Sequence, residues 1–149
     1  LPVNKVGSFG REAAQLMEEA YASDYQLLNF PAGICSRKIK GVITDLPWQK
    51  SFIVKAVQHQ RDIVPCYFAG RNSSFFYNLA NFRTAIRFKM NLEMLYLADE
   101  MFRQKGKDID VYFGEPIPWQ TFDRSRKPQE WAEIVRGKTY NLPERFRAG

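Results

Sequence analysis

Three short apolar runs, Tyr25–Phe30, Val42–Leu46 and Ile63–Phe68, constrain this chain more than any other feature. Each has strand length, and the first stops abruptly at Pro31-Ala-Gly33. The segments between and after them carry helical spacing instead. Trp48, Phe52, Ile53, Ala56 and Val57 line one face of a helix that Pro47 begins and that runs to about His59, with Lys50, Lys55 and Gln58 outside. Upstream, Leu1–Lys5 reads as a short strand, and Ser8 caps a helix to about Ala22 with Phe9, Ala13, Leu16, Met17 and Ala20 inward. Downstream come helices over Phe75–Phe88 and Leu92–Gln104, a strand at Ile109–Phe113, a helix over Pro128–Arg136 and a polar, basic tail. This alternation predicts an α/β fold, a mixed, mostly parallel sheet with flanking helices, in a single domain over residues 1–149.

Composition narrows the partners. With 45% of 149 residues hydrophobic, the chain suits one core that needs no disulfide or metal. Cys35 and Cys66 lie far apart and match no metal-ligand spacing, so reduced thiols in a cytosolic setting are expected. No apolar run reaches the roughly 18–20 residues of a membrane span, and no signal peptide opens the chain. Leu1 begins without an initiator Met and as if inside a strand, which suggests a piece of a longer protein. A net charge of +6 favours an acidic partner: nucleic acid, anionic lipid or a phosphorylated small molecule. An aromatic content of 15% tips that choice towards apolar or interfacial matter.

Chemistry concentrates where the first run ends. Beyond Phe30-Pro-Ala-Gly33 the chain turns small, polar and basic at Ser36, Arg37, Lys38 and Lys40, a loop closed by Gly41. Ligands of open α/β sheets bind beyond the carboxyl ends of strands. A glycine there lets backbone N–H groups approach an anion, arginine offers a planar fork and lysine a point charge. These residues suit an oxyanion site, or equally a strand-end turn carrying a solvated basic loop.

Leu28-Asn-Phe-Pro-Ala-Gly-Ile-Cys-Ser36 is similar to the F-P-E-G-T-R-S block of the glycerophosphate and lysophospholipid acyltransferase superfamily, with Phe30, Pro31, Gly33 and Ser36 matching in place. Leu1-Pro-Val-Asn-Lys5 resembles the preceding block, whose final basic residue helps hold the acceptor's head group, and Lys5 falls there. Ile63-Val-Pro-Cys-Tyr67 resembles the later V-P-V block near the acyl or acceptor site, which implicates Val64 and Pro65. Phe30 to Pro118 looks like the hemolysin-like acyltransferase subgroup. The resemblance implies the C-terminal part of an acyltransferase domain, whose parent moves a fatty acyl group from acyl-CoA or acyl-carrier protein to a hydroxyl of an anionic lipid precursor. Lysophosphatidic acid and an acylated amino acid are the candidate acceptors. It further implies that Lys5, Gly33, Ser36, Arg37 and Lys38 hold the head group, that no metal or tightly held cofactor is needed, and that the protein works in the cytoplasm at the inner membrane surface.

The sequence departs from the family pattern in three ways. Ala32 stands where the block has Glu, and Ile34 and Cys35 where it has Thr and Arg. The H-x-x-x-x-D motif, in which His takes the acceptor's proton and Asp orients it, is absent. The sole histidine, His59, has Val64 five positions on and reads as a solvent-facing helix end. The chain by itself is therefore expected to be inactive. Two rival readings remain: a non-catalytic anionic-lipid-binding module and a basic nucleic-acid-binding domain. The aromatic and methionine-rich stretch from Phe75 to Phe102 reads either as helix core or as an apolar wall for an acyl chain, and the basic tail as a solvated surface or a lipid or nucleic-acid contact.

Overall fold

Phe52, Ile53 and Ala56 fall on one side of a helix, and that side meets the buried face of another helix carrying Trp131, Ala132 and Val135. Trp48, Ile117 and Phe122 close the cluster. A computed structural model describes residues 11–87 and 92–147. Its elements are helix α1 (Arg11–Ala22), strands β1 (Arg37–Ile39) and β2 (Val42–Thr44), helix α2 (Ser51–Gln58), strand β3 (Cys66–Phe68) and helix α3 (Ser74–Ala85). A 3-10 turn (Leu92–Tyr96) then runs into helix α4 (Leu97–Phe102), followed by strand β4 (Val111–Phe113), a 3-10 turn (Trp119–Thr121) and helices α5 (Pro128–Tyr140) and α6 (Leu142–Arg147). The core thus sits between α2 and α5. Each large apolar side chain buried there contributes about 1.5–3 kcal/mol.

Local chemistry explains the helix ends. Pro128 opens α5 at a position where its missing N–H costs nothing, and the Glu130 carboxylate reaches back to the Lys127 N–H at 2.9 Å. Ser73 caps α3 by accepting the Phe76 N–H at 3.3 Å. Pro47 does not open α2, which begins at Ser51 after Lys50. The segment expected as a basic tail continues α5 to Tyr140 and then forms α6, because Thr139 and Leu142 also face inward and are buried.

The α/β character holds, but the mostly parallel sheet does not. Among the described residues the strands form two antiparallel ribbons, β1 with β2 and β3 with β4. A parallel pair needs a crossover of about a dozen residues or more, whereas β1 and β2 are joined by Lys40 and Gly41 alone. Both of those residues have positive φ, 48° and 85°, as the primed turns of tight hairpins require. Tyr25–Phe30 is not a buried strand either. Among the described residues no strand pairs with it, and Tyr25, Leu28 and Phe30 are each 75% exposed. The strand expected at Leu1–Lys5 lies outside the described residues.

Polar contacts hold α1 against the rest. The Arg61 guanidinium donates to the carbonyls of Tyr21, Ser23 and Tyr25, taking up acceptors that the end of α1 leaves open. Glu18 accepts from Lys55 and Gln58 and lies 3.0 Å from His59 Nε2, while the Tyr21 ring stacks on the imidazole at 5.6 Å. His59 is therefore half-buried in a contact between helices and not solvent-facing. Hydrogen bonds from Lys55 and then His59 hold the Glu18 carboxyl below its ordinary value of 4.5. A depressed carboxyl contributes stability that is complete above its unfolded value and is lost as pH falls through the lower folded value. The melting temperature should therefore fall on acidification from pH 4.5 downwards. Glu18→Gln should melt lower than wild type at neutral pH and show a flatter acid limb, and thermal denaturation across that range checks both.

Candidate functional site

The turn Phe30–Gly33 is stapled to the entry of α2. Gly33 N donates to the Phe30 carbonyl at 3.0 Å, and Gln49 N donates to the Pro31 carbonyl at 2.9 Å. Gly33 has φ +71° with nothing near the position of a β-carbon, so its left-handed backbone is what the turn requires of it. Ala32 packs its methyl against the core cluster. A glutamate at that position would have to desolvate its carboxylate on the same apolar surface, which gives Ala32 a packing reason. Phe30 remains exposed beside this turn.

The basic residues sit on a hairpin, not a loop. Alternation along β1 places Arg37 and Ile39 on one face and Lys38 on the other. Arg37 Nη2 donates to Glu93 Oε1 at 2.9 Å, and Arg83 grips the same carboxylate through Nε at 2.9 Å and Nη2 at 3.2 Å. Glu93 is wholly buried, at 0% exposure, so a single carboxylate is shared by two guanidinium groups. Asn81 fixes the same hairpin by donating to the Lys38 carbonyl at 3.1 Å.

Ser36 is tied to a second carboxylate. Its hydroxyl donates to Asp45 Oδ1 at 2.6 Å, and the Trp48 indole N–H donates to Oδ2 at 3.1 Å. Asp45 N donates to the Tyr140 hydroxyl at 3.0 Å, and Arg136 donates to the Asp45 carbonyl at 3.2 Å and to Thr44 Oγ1 at 3.0 Å. Burial raises the Tyr140 phenol above its usual range and keeps it neutral at pH 7. With its proton committed to Asp45, the Ser36 oxygen still has capacity to accept from a ligand.

Val64 and Pro65 stand elsewhere. Pro65 is buried, Val64 is 48% exposed, and Pro65 lines a cavity of about 220 Å³ with Gly114, Ile117, Leu142, Lys138 and Arg145. Tyr140 links the two regions, with its hydroxyl on Asp45 and its ring 5.8 Å from Tyr67, two residues beyond Pro65. The structure gathers Phe30, Pro31, Gly33, Ser36, Arg37 and Lys38 around the hairpin and the entry of α2, whereas Lys5 lies outside the described residues. The aromatic stretch divides. Phe76 and Tyr77 are buried, while Phe82, Leu95, Met101 and Phe102 are exposed.

Sequence reasoning missed Glu93 and Asp45. The signal for Glu93 was its place as a lone carboxylate within Leu92-Glu-Met-Leu-Tyr-Leu97, since a charge amid apolar neighbours is buried only when paired. Asp45 carried a weaker signal, an acidic residue just ahead of a Pro-Trp pair.

Comparison with known proteins follows the same residues. A family model described as acyltransferase matches residues 1–149. The chain is 52% identical over 142 residues to a lyso-glycine lipid O-acyltransferase of Bacteroides thetaiotaomicron, covering 95% of this chain and 52% of that protein. It is 48% identical to a protein of the same name from Phocaeicola vulgatus, covering 95% of this chain and 51% of the relative. The chain therefore spans about half the length of these relatives. No solved structure matches it significantly.

Two variants test how the site is held. Glu93→Ala removes the buried carboxylate that Arg37 and Arg83 share and should cost about 3–5 kcal/mol, read from urea unfolding midpoints. Ala32→Glu should lower stability by about 1–3 kcal/mol, because it sets an unpaired carboxylate against the core.

Proposed function

The chain belongs to the acyltransferase family, and on that premise we propose that it forms the C-terminal, acceptor-binding portion of an enzyme that acylates a hydroxyl of an anionic lipid precursor. The acceptor hydroxyl oxygen attacks the carbonyl carbon of an acyl thioester, carried by coenzyme A or an acyl-carrier protein. A C–O ester bond forms, the C–S bond breaks, the hydroxyl proton passes to a general base, and the thiolate leaves to be protonated. The observation that carries this reading is identity near one half, over nearly the whole chain, to two lyso-glycine lipid O-acyltransferases. Their name favours an acylated amino acid over lysophosphatidic acid as acceptor.

In this reading the hairpin and the turn before it hold the acceptor's negative head. Gly33 presents a turn that a ligand can approach without meeting a side chain, Ser36 offers its remaining lone pairs to an N–H or O–H group, and Lys38 supplies the mobile cation. Arg37, already bonded to Glu93, adds field and rigidity, and Lys5 completes the basic set. Phe30 and the Val64–Pro65 segment meet apolar parts of the substrates. His59 is engaged with Glu18 and Tyr21, and no base is assigned to it. The base belongs to the part of the protein corresponding to the half of the relatives that this chain does not span, so the chain alone is inactive. That same part covers the exposed Tyr25–Phe30 segment. Among the described residues no helix is long and apolar enough to cross a membrane. Access to lipid is at the membrane surface, where exposed Phe82, Met101 and Phe102 stand close in sequence to Arg87 and Arg103.

The test compares the longer protein containing this sequence with the chain alone, using labelled acyl-CoA and acyl-carrier protein. Transfer to a lyso-glycine lipid, weak transfer to lysophosphatidic acid, and no turnover by the chain alone are expected. Silence from the longer protein with every donor and acceptor would favour a non-catalytic lipid-binding module and overturn the proposal. In the active protein, Lys38→Ala should raise the acceptor's KM about tenfold, one charge-assisted contact, while kcat changes little.

A further inference from the structure

On another part of the molecule, a cavity of about 320 Å³ opens between the start of α3 and the end of α4. Three cations line it, Arg71, Arg103 and Lys107. None of the three makes a salt bridge among the described residues. One carboxylate shares the wall, but Glu100 is buried with both oxygens occupied: Oε2 accepts the Ser73 N–H at 2.5 Å, and Oε1 accepts the Ser73 hydroxyl at 2.5 Å. Gln104 ties the two walls together by donating to the Arg71 carbonyl at 3.1 Å. Formal charge around the cavity is therefore two positive in excess, three cations against one carboxylate. Like charges around one concavity raise each other's energy, and an anion placed among them relieves that cost. The same lining offers two planar guanidinium forks, the geometry that fits phosphate oxygens.

We infer that this cavity is a binding site for an organic phosphate. Its volume lies at the low end of small-molecule sites, enough for a phosphate or diphosphate with its attached group and too little for a long acyl chain. Every residue that lines it is polar or charged, which suits an ionic head better than a hydrocarbon tail. The site is separate from the hairpin residues, yet the buried Tyr77 lies between the two regions. Its hydroxyl accepts the Asn72 N–H at 3.3 Å on the cavity side, and α3, which carries it, packs against β1. Two sources supply an organic phosphate: the phosphates of a coenzyme thioester, or the head group of a phospholipid precursor.

Direct titration of the intact protein, by calorimetry at low ionic strength, tests the site without requiring acyl transfer. Three probes separate the sources: coenzyme A, glycerol 3-phosphate and inorganic phosphate. Arg71→Ala and Arg103→Ala should each weaken binding of the preferred probe about tenfold, the loss of one charge-assisted contact. Lys105→Ala removes a neighbouring cation that does not line the cavity and should leave binding unchanged. Preference for coenzyme A assigns the site to the donor, and preference for glycerol 3-phosphate assigns it to a phospholipid head group distinct from the lyso-glycine acceptor. Free inorganic phosphate binding as tightly as both would reduce it to a phosphate-ion site and overturn the organic-phosphate assignment. Absence of binding by all three probes overturns it too. So does a pair of arginine variants within about twofold of wild type, or a Lys105→Ala loss equal to theirs, since either marks only screened surface charge.

Discussion

A carboxylate with no exposed surface must be compensated where it lies, and Glu93 is compensated by two arginines from different parts of the chain. Arg37 arrives on the β-hairpin and Arg83 on α3, so one buried charge fixes the hairpin, α3 and the turn before α4 relative to each other. The pairing is costly to assemble, because three ions lose most of their water, and more costly to break, because the ions left behind stay largely buried without the partner removed. Its value is therefore less in net stability than in geometry. It sets where the basic edge of the hairpin stands, and Lys38, on the opposite face of the same strand, inherits that position.

Asp45 plays the matching part on the other side of the hairpin. Its two oxygens take up Ser36 and Trp48, and its backbone meets Tyr140 and Arg136. The small turn at Phe30–Gly33 is thereby connected to the core helices α2 and α5 through a few directional bonds. A loop that must present its backbone to a ligand gains accuracy from such anchoring, since each polar atom has one place to be.

Helical periodicity was the legible part of this sequence. The face of α2 could be read from Trp48, Phe52, Ile53 and Ala56, because burial on one side of a helix leaves a pattern of its own. Strand partners left no such mark. Tyr25–Phe30 has a strand's composition but pairs with no strand among the described residues, and a pattern of side chains does not say whether a partner exists. The β1–β2 hairpin was hidden for the opposite reason. Its strands are only three residues each, and its turn uses a lysine at positive φ where asparagine or aspartate would have announced it. The candidate site was legible as a block of residue types and through its family resemblance, whereas the carboxylates that organise it, Glu93 and Asp45, come from outside the block.

The exposed apolar side chains of Tyr25, Leu28 and Phe30 have a consequence for handling the chain. Large apolar side chains exposed together within one short segment favour self-association. In a test tube these 149 residues on their own should stick to one another and to detergent micelles, and their solubility should depend more on this one strip than on the +6 charge of the whole.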